Sequence, residues 1–581
     1  MTSGKATEDS PPISNMPHLH RIGLFNREDA SLLCGLIVVA IASTLPFFYA
    51  AGGELPQAGD LIIHWPRMLM FDEALRSGVW YPRWLGGMNY GYGAATTMFY
   101  APFVYYALSA AHALLGDWPR SVEAVAVMAA IGSVTTLYFY ARSVMSRAAS
   151  AVAALLYLLL PYRLIDLYHR GALAELIAFV WMPLVVQMFG SSIKRPRASK
   201  IIFGAIAFAL LLITHPPVAY AFSVAFAIFA AVLAVRSKSW RPAVAGGLIV
   251  ALGSALSAFY WLPAIVEVGY VNQSITDLFD QNKGYVTSLI TGSVFEKLIA
   301  ATFIVTGVLF LFLAALARSN KRYDIKNSPL DQHACGWTAV GLVSIFMILP
   351  IADPLTRLMP GISGMAFVWR WLAVTSLATS VLAGAAVERT LALNRRGGEK
   401  TGRARIQELL AAALAAGAVA FGVISCARAS NLRLQFVAPA DYVEQDFTPA
   451  GAPGIDELPR NAPLQMVSNS PYNQARLVQW KPQERVIEVT CRTDDTLRVH
   501  SFMYPGWEAF TDGVAAQVRT DDALKVMLID AEQGSHTIKL VFANTPTRSR
   551  AQSLSLIALS CAALTLVVER LTCSLKRANR V

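Results

Sequence analysis

Directly behind the first long apolar run, between Gly59 and Tyr106, the chain sets Asp60, His64, Arg67, Asp72, Glu73, Arg76 and Arg83 among Trp65, Trp80, Trp84, Tyr90, Tyr92 and Tyr100. Charge beside a membrane span is costly and usually functional. An acid, an imidazole, guanidinium groups and aromatic rings at a membrane surface are the groups needed to handle a sugar attached to a lipid phosphate. A carboxylate can take the proton of an attacking hydroxyl, and fixed cations can stabilise a departing phosphate. Asp60 is the candidate base; a helix N-cap or an interfacial residue is its structural alternative.

His64 lies four residues after Asp60, the spacing of one helical face, but Pro66 interrupts that picture. Proline fits the first turn of a helix, so the sequence predicts a helix beginning near His64 with Asp60 in the approach to it. That weakens a paired Asp60–His64 metal site in favour of a polar interfacial histidine. A second cluster, from Pro161 to Glu175, carries Arg163, Asp166, His169, Arg170 and Glu175. Arg163 and Arg170 suit a phosphate, because guanidinium is a planar, permanently charged fork of donors. Their alternative is interfacial snorkelling or pairing with Asp166 and Glu175. Glu175 falls inside the start of a span, where a purely structural role is less comfortable.

Arg370, between Trp369 and Trp371, either binds phosphate or belongs to an aromatic belt. Tyr90 and Tyr92, in a glycine-rich loop, either stack on a sugar ring or anchor the interface. His215, before Pro216 and Pro217 at a span end, reads as structural.

These residues must be positioned by a membrane protein. With 581 residues, 55% hydrophobic and only 15% charged, the chain is no ordinary soluble globule. Its net charge of +11 comes in short clusters between apolar runs rather than on one basic face, which argues against nucleic acid as a partner. Topology explains the clusters better. They recur at Arg142 and Arg147, at 194–200, 236–241, 318–326, 389–405 and 576–580, and all are expected on the cytoplasmic side. The run Ser31–Tyr49 follows a lead too long, and too acidic at its end, for a signal peptide and is expected to remain as a span.

If Thr96–Leu115 also spanned, every later cluster would flip. Laid in the outer interface or re-entering from outside, it leaves all of them inside. The expected architecture is therefore an α-helical polytopic protein with about a dozen spans and both termini cytoplasmic. A tail over 1–30 precedes a transmembrane domain over 31–427, whose outer loop covers 51–120. An extracytoplasmic domain over 428–550, a last span over 551–573 and a basic tail over 574–581 complete it.

The outer domain turns abruptly polar, first in an irregular stretch through Asp441, Tyr442 and Pro449 to Pro463. Val486–Val489, Leu497–Phe502, Leu524–Ile529 and His536–Phe542 then read as strands, and Asp512-Gly513 as a hairpin turn. A small β-sandwich or jelly-roll-like module fits. The six cysteines offer no disulfide framework and no CxxC metal site. A Cys426–Cys491 bridge is weighed against unpaired buried thiols, with the latter preferred. There is no glycine-rich nucleotide loop and no Walker motif.

The runs "GDLIIHWPRMLMFDEALRSGVWYPRWLGGMNYGYG", "FYAPFVYYAL", "LLYLLLPYRLIDLYHRGALAELIAFVWMPL", "LLLITHPP", "SAFYWLPAIVE" and "FVWRWLAVTSLA", with "YPGWEAFTDG" and "GSHTIKLVF" in the outer domain, resemble a large bacterial family of GT-C type membrane proteins. Some of its members carry a label relating them to 6-pyruvoyl-tetrahydropterin synthase, a soluble zinc enzyme that this composition excludes. The resemblance covers nearly the whole chain. It implies an inverting glycosyltransferase of the bacterial inner membrane that takes a sugar from a polyprenyl-phosphate donor to an envelope glycan or lipid acceptor at the outer surface. Asp60 matches the acidic residue that such enzymes carry in the first outer loop, and a divalent metal ion remains open as a cofactor. Two other classes compete: a transporter or flippase of lipid-linked glycans, and a non-catalytic assembly factor. A transporter needs polar groups along a path through the midplane, whereas charge here collects at the outer ends of spans.

Overall fold

A computed structural model describes residues 26–49, 55–56, 59–272, 288–319, 328–359, 368–395, 402–429, 447–460 and 463–578. The tail up to residue 25, the basic stretches at 320–327 and 396–401, the loop stretches 273–287 and 360–367, and the leader 430–446 with Asp441 and Tyr442 lie outside the described residues.

Among the described residues, eight helices are long and apolar enough to cross a membrane, and eleven if each of three bent pairs counts as one span. The expected dozen requires that the 17-residue apolar helix Ala198–Thr214 cross as well. Two of the bends follow from proline. Leu160 and Leu349 are extended before Pro161 and Pro350, because a residue preceding proline is pushed out of the helical region. Thr96–Leu115 forms two short helices, Thr96–Phe99 and Phe103–Leu115, the second closed by Gly116 at φ 68°. Thirteen residues extend about 20 Å, short of a hydrocarbon core of roughly 30 Å.

The helix running through Val368–Ala392 is the centre of the bundle, with 89% of its apolar window buried, against 17% for Arg405–Ala427 and for Pro546–Leu575. Two of its buried hydroxyls are satisfied within the helix, Thr375 and Thr379 donating to carbonyls one turn back at 3.1 and 2.7 Å. The bundle's two ends differ in chemistry. At one, Asp29 binds Arg142 and Arg147, and Lys194 Nζ donates to the Ser143 carbonyl at 2.8 Å. At the other stand the first loop, the Pro161–Glu175 segment, His215 and the β domain.

Among the described residues the β domain has nine strands: β1 Leu464–Met466, β2 Gln474–Lys481, β3 Glu484–Cys491, β4 Asp495–Phe502, β5 Trp507–Thr511, β6 Val514–Ala516, β7 Val518–Thr520, β8 Val526–Ala531 and β9 Gly534–Phe542. They form two antiparallel sheets, β1-β4-β8-β7 and β2-β3-β9-β5-β6, over one core. Inward positions alternate as a two-residue period demands: Ile487, Val489 and Cys491 on β3, Ile538, Leu540 and Phe542 on β9. Asp512 and Gly513, both left-handed, join Thr511 to Val514 in the expected two-residue hairpin. Strand β8 begins at Val526 rather than Leu524, since Lys525 is left-handed. Strand β2 escaped the sequence reading; it is a sheet edge and buries little, so its apolar alternation is weak.

The domain is built into the first loop. Trp84, Tyr92, Ala95 and Met98 belong to its core, and the Phe502 N–H donates to the Tyr92 carbonyl at 2.8 Å. Gly93 makes this possible: at φ 82° it lies on the Trp84 indole, where a Cβ would come within 2.5 Å. A second joint is the buried pair Arg548–Glu267. Arg548 Nη2 donates to Glu267 at 2.7 Å and to the Pro505 carbonyl at 2.8 Å, and Thr545 caps the other carboxylate oxygen at 2.7 Å. Cys426 and Cys491 are both buried and free, so no bridge joins them.

Candidate active site

The helix carrying Asp60 runs from Gly59 to Arg76, starting earlier than Pro66 led the sequence to suggest. Asp60 therefore sits in its first turn, and the proline is absorbed inside the helix. Asp60, His64, Arg67 and Phe71 then share one face, of which all but Asp60 is buried. His64 is no interfacial residue: it is 2% exposed, with Nδ1 3.0 Å from the Tyr105 hydroxyl and Nε2 3.1 Å from that of Tyr100. Burial, reinforced by the Arg67 guanidinium, holds its pKa down to about 3. The ring is neutral, with one nitrogen donating and the other accepting. Arg67 lies over the rings of Tyr100 and Phe447, 5.2 and 6.0 Å from their centroids.

The facing wall is the second half of a bent pair. After the short helix Pro161–Ile165, residues Asp166–Arg170 form one π-helical turn, ended by Gly171 in the left-handed region. Such widened turns recur at functional sites. This one puts Asp166 and Arg170 side by side, and the reversal at Gly171 brings Glu175, in the first turn of the next helix, back against them.

Arg170 is the hub. Its Nη1 donates to Asp166 at 2.6 Å and to Glu175 at 2.8 Å, and its Nη2 to Asp60 at 2.9 Å. Tyr162 donates its hydroxyl to the other Glu175 oxygen at 2.6 Å. His215 Nδ1 accepts from the Val218 N–H, which puts the ring's proton on Nε2, 3.8 Å from Glu175. Arg370 is close enough to Glu175, His215 and Tyr100 to act on each by charge.

The side chains of Asp166 and Glu175 are wholly buried and that of Arg170 is 7% exposed, whereas Asp60 is 37% exposed. Asp60 is thus the acid of this cluster that can meet a ligand, and the others fix its orientation.

Four sequence candidates stand apart. Arg163 is 1% exposed and donates to the Leu158 carbonyl at 3.4 Å, closing the preceding helix; a lipid phosphate has no approach to it. His169 turns its Nε2 to the Ser425 carbonyl, 3.0 Å away, outside the carboxylate cluster. Tyr92 is 2% exposed, stacked on His500, with its hydroxyl donated to the Pro459 carbonyl at 2.9 Å. It is core of the β domain and cannot stack on a sugar. Tyr90 has the Arg460 guanidinium over its ring at 4.3 Å. Conversely, Tyr105 and Tyr162 enter the site unannounced, while His215, read as structural, caps the helix Pro216–Ser237 through Nδ1 and lies beside Glu175. Their signal was only adjacency to the charged motifs, in "FYAPFVYY" and "LLPYRLID".

Residues 97–432 match the model of a family described as 6-pyruvoyl-tetrahydropterin synthase related domain, membrane protein. The chain belongs to this family. The match includes Asp166, Arg170, Glu175, His215 and Arg370 and excludes Asp60. No curated protein matches the chain.

Among solved structures, the chain is similar to the mycobacterial arabinofuranosyltransferase AftD, with 17% identity, TM-score 0.47, and coverage of 70% of this chain and 27% of that one. The oligosaccharyltransferase AglB of Archaeoglobus fulgidus, solved with an inhibitory peptide and a dolichol-phosphate, gives 16% identity, TM-score 0.40, and coverage of 70% and 56%. ArnT of Cupriavidus metallidurans, bound to undecaprenyl phosphate, gives 12% identity, TM-score 0.30, and coverage of 62% and 79%. The chain spans about a quarter of the first and just over half of the second, and these overlaps are too loose to define a shared fold.

Proposed function

We propose that this protein is a membrane glycosyltransferase that moves a sugar from a polyprenyl-phosphate donor to an envelope glycan or lipid on the outer face of the bacterial inner membrane, as the GT-C resemblance of the sequence implies. The observation that carries the reading is the half-exposed Asp60 carboxylate, oriented by the buried Arg170–Asp166–Glu175 cluster with Arg67 and Arg370 nearby. Asp60 takes the acceptor hydroxyl proton as that oxygen attacks the anomeric carbon, and the carbon–phosphate-oxygen bond breaks with inversion. Arg370 and Arg67 supply positive charge for the departing lipid phosphate. The ion pair with Arg170 holds the Asp60 carboxylate in place before the acceptor arrives.

The test is mass spectrometry of envelope glycans and lipids from cells lacking the protein. A polymer or lipid missing one sugar and otherwise complete is expected. Unaltered glycans together with lipid-linked precursors trapped on one membrane face would favour a flippase instead.

A further inference from the structure

Carboxylates beside a lipid phosphate raise the question of a divalent cation, and the donor set answers it. A bound Mg²⁺ or Ca²⁺ needs carboxylate oxygens converging on one point at about 2.0–2.6 Å. Here the acids converge on a guanidinium: Asp166, Glu175 and Asp60 lie at 2.6, 2.8 and 2.9 Å from its two terminal nitrogens. Among the described residues, no group of three His, Cys, Asp or Glu side chains could hold a metal ion. The divalent metal that the sequence leaves open therefore does not fit these described residues.

We propose that Arg170 is the resident cation of this site, occupying the position among Asp60, Asp166 and Glu175 that a divalent ion would need. A guanidinium suits the task because its planar fork can bind several acids at once and never loses its charge. A lysine ammonium, a compact point charge on a flexible stem, lacks that planar geometry. Two consequences follow. Sugar transfer, which rests on the function proposed above, proceeds without added divalent metal. Removing the guanidinium, by contrast, leaves two fully buried acids and Asp60 without the cation that binds all three, with Arg370 as a more distant positive charge. A divalent cation from solution can then take its place.

The experiment measures Mn²⁺ binding to the purified full chain in nanodiscs by electron paramagnetic resonance, alongside transfer activity after EDTA treatment. The wild-type chain is expected to hold no tightly bound Mn²⁺ and to keep its activity. Arg170→Ala is expected to bind one Mn²⁺ at least about tenfold more tightly than wild type, within the range that ligand charge sets for such sites. Adding Asp166→Asn is expected to abolish that gain. A wild-type chain that binds Mn²⁺ and releases it on Asp60→Asn would overturn the proposal, as would an Arg170→Ala chain with no gain. Should Arg170→Ala not accumulate, the wild-type comparison decides alone. The Mn²⁺ measurement does not depend on sugar transfer, so a wrong function and a wrong cation are told apart.

Discussion

Arg170 and Asp60 stand 110 residues apart in the chain, yet Nη2 of one donates to Oδ2 of the other at 2.9 Å. The bond ties the helix Gly59–Arg76 to the π-helical turn Asp166–Arg170, and so ties the first loop to the membrane bundle. It also divides labour among three acids. Asp166 and Glu175, wholly buried, bind Arg170, while Asp60 alone of the three reaches a surface. A buried ion pair is weak evidence for stability as such, since desolvation offsets most of its Coulomb energy. Its retention here is better explained by orientation.

The joint between membrane and β domain gives the first prediction. Glu267 and Arg548 are 3% and 1% exposed and bonded in full. Arg548→Met leaves the Glu267 carboxylate buried without its partner, a change that costs about 3–5 kcal/mol. The expected result is a β domain cut by limited proteolysis at protease levels that spare the wild type, with the helices at the Asp29 end of the bundle still protected. Equal resistance in both chains would show that the clamp is dispensable.

Tyr92 separates core packing from sugar binding. Its ring fills the β-domain core, so Tyr92→Ala should lower the folded yield in the membrane, a truncation costing about 3–5 kcal/mol. Tyr92→Phe keeps the ring and loses one hydrogen bond, of about 1 kcal/mol. It should leave the acceptor KM of the folded protein unchanged. A raised acceptor KM in Tyr92→Phe, with normal yield, would return Tyr92 to the list of sugar contacts.

How far the sequence reached is clearest along the Asp60 helix and the Pro161–Glu175 segment. Residue types and their clustering located Asp60, Arg170, Asp166, Glu175 and Arg370, because charge near a span has few structural excuses. The pairing of Arg170 with its acids was anticipated as an alternative to phosphate binding. What stayed hidden depends on tertiary geometry. The helix start at Gly59 overrides the local effect of Pro66, and no spacing rule announces the π-helical turn that swings Arg170 toward Asp60 and leaves Arg163 buried. Tyr92 misled for the same reason: a tyrosine in a glycine-rich loop looks available until another domain folds over it.

His64 carries the pH dependence. Its folded pKa is about 3 against an ordinary value of 6.5. Between these limits the unfolded chain binds a proton that the folded chain does not, so the stability owed to the neutral ring is complete above about pH 6.5 and lost progressively as pH falls toward 3. His64→Gln keeps a donor and an acceptor for Tyr100 and Tyr105 and removes the titration. The thermal midpoint in detergent should drop more for wild type than for His64→Gln between about pH 7.5 and about pH 5. Parallel drops would mean that another group sets the acid sensitivity.

The most direct test of the catalytic account is the turnover of Asp60→Asn, read as the sugar added to envelope glycan or lipid in cells lacking the wild-type chain. Asparagine keeps the size and most hydrogen-bonding capacity of aspartate but cannot accept the proton. The account predicts normal expression and membrane insertion with turnover lowered by about a hundredfold or more. Full modification by a normally expressed Asp60→Asn chain would contradict it and remove Asp60 as the base.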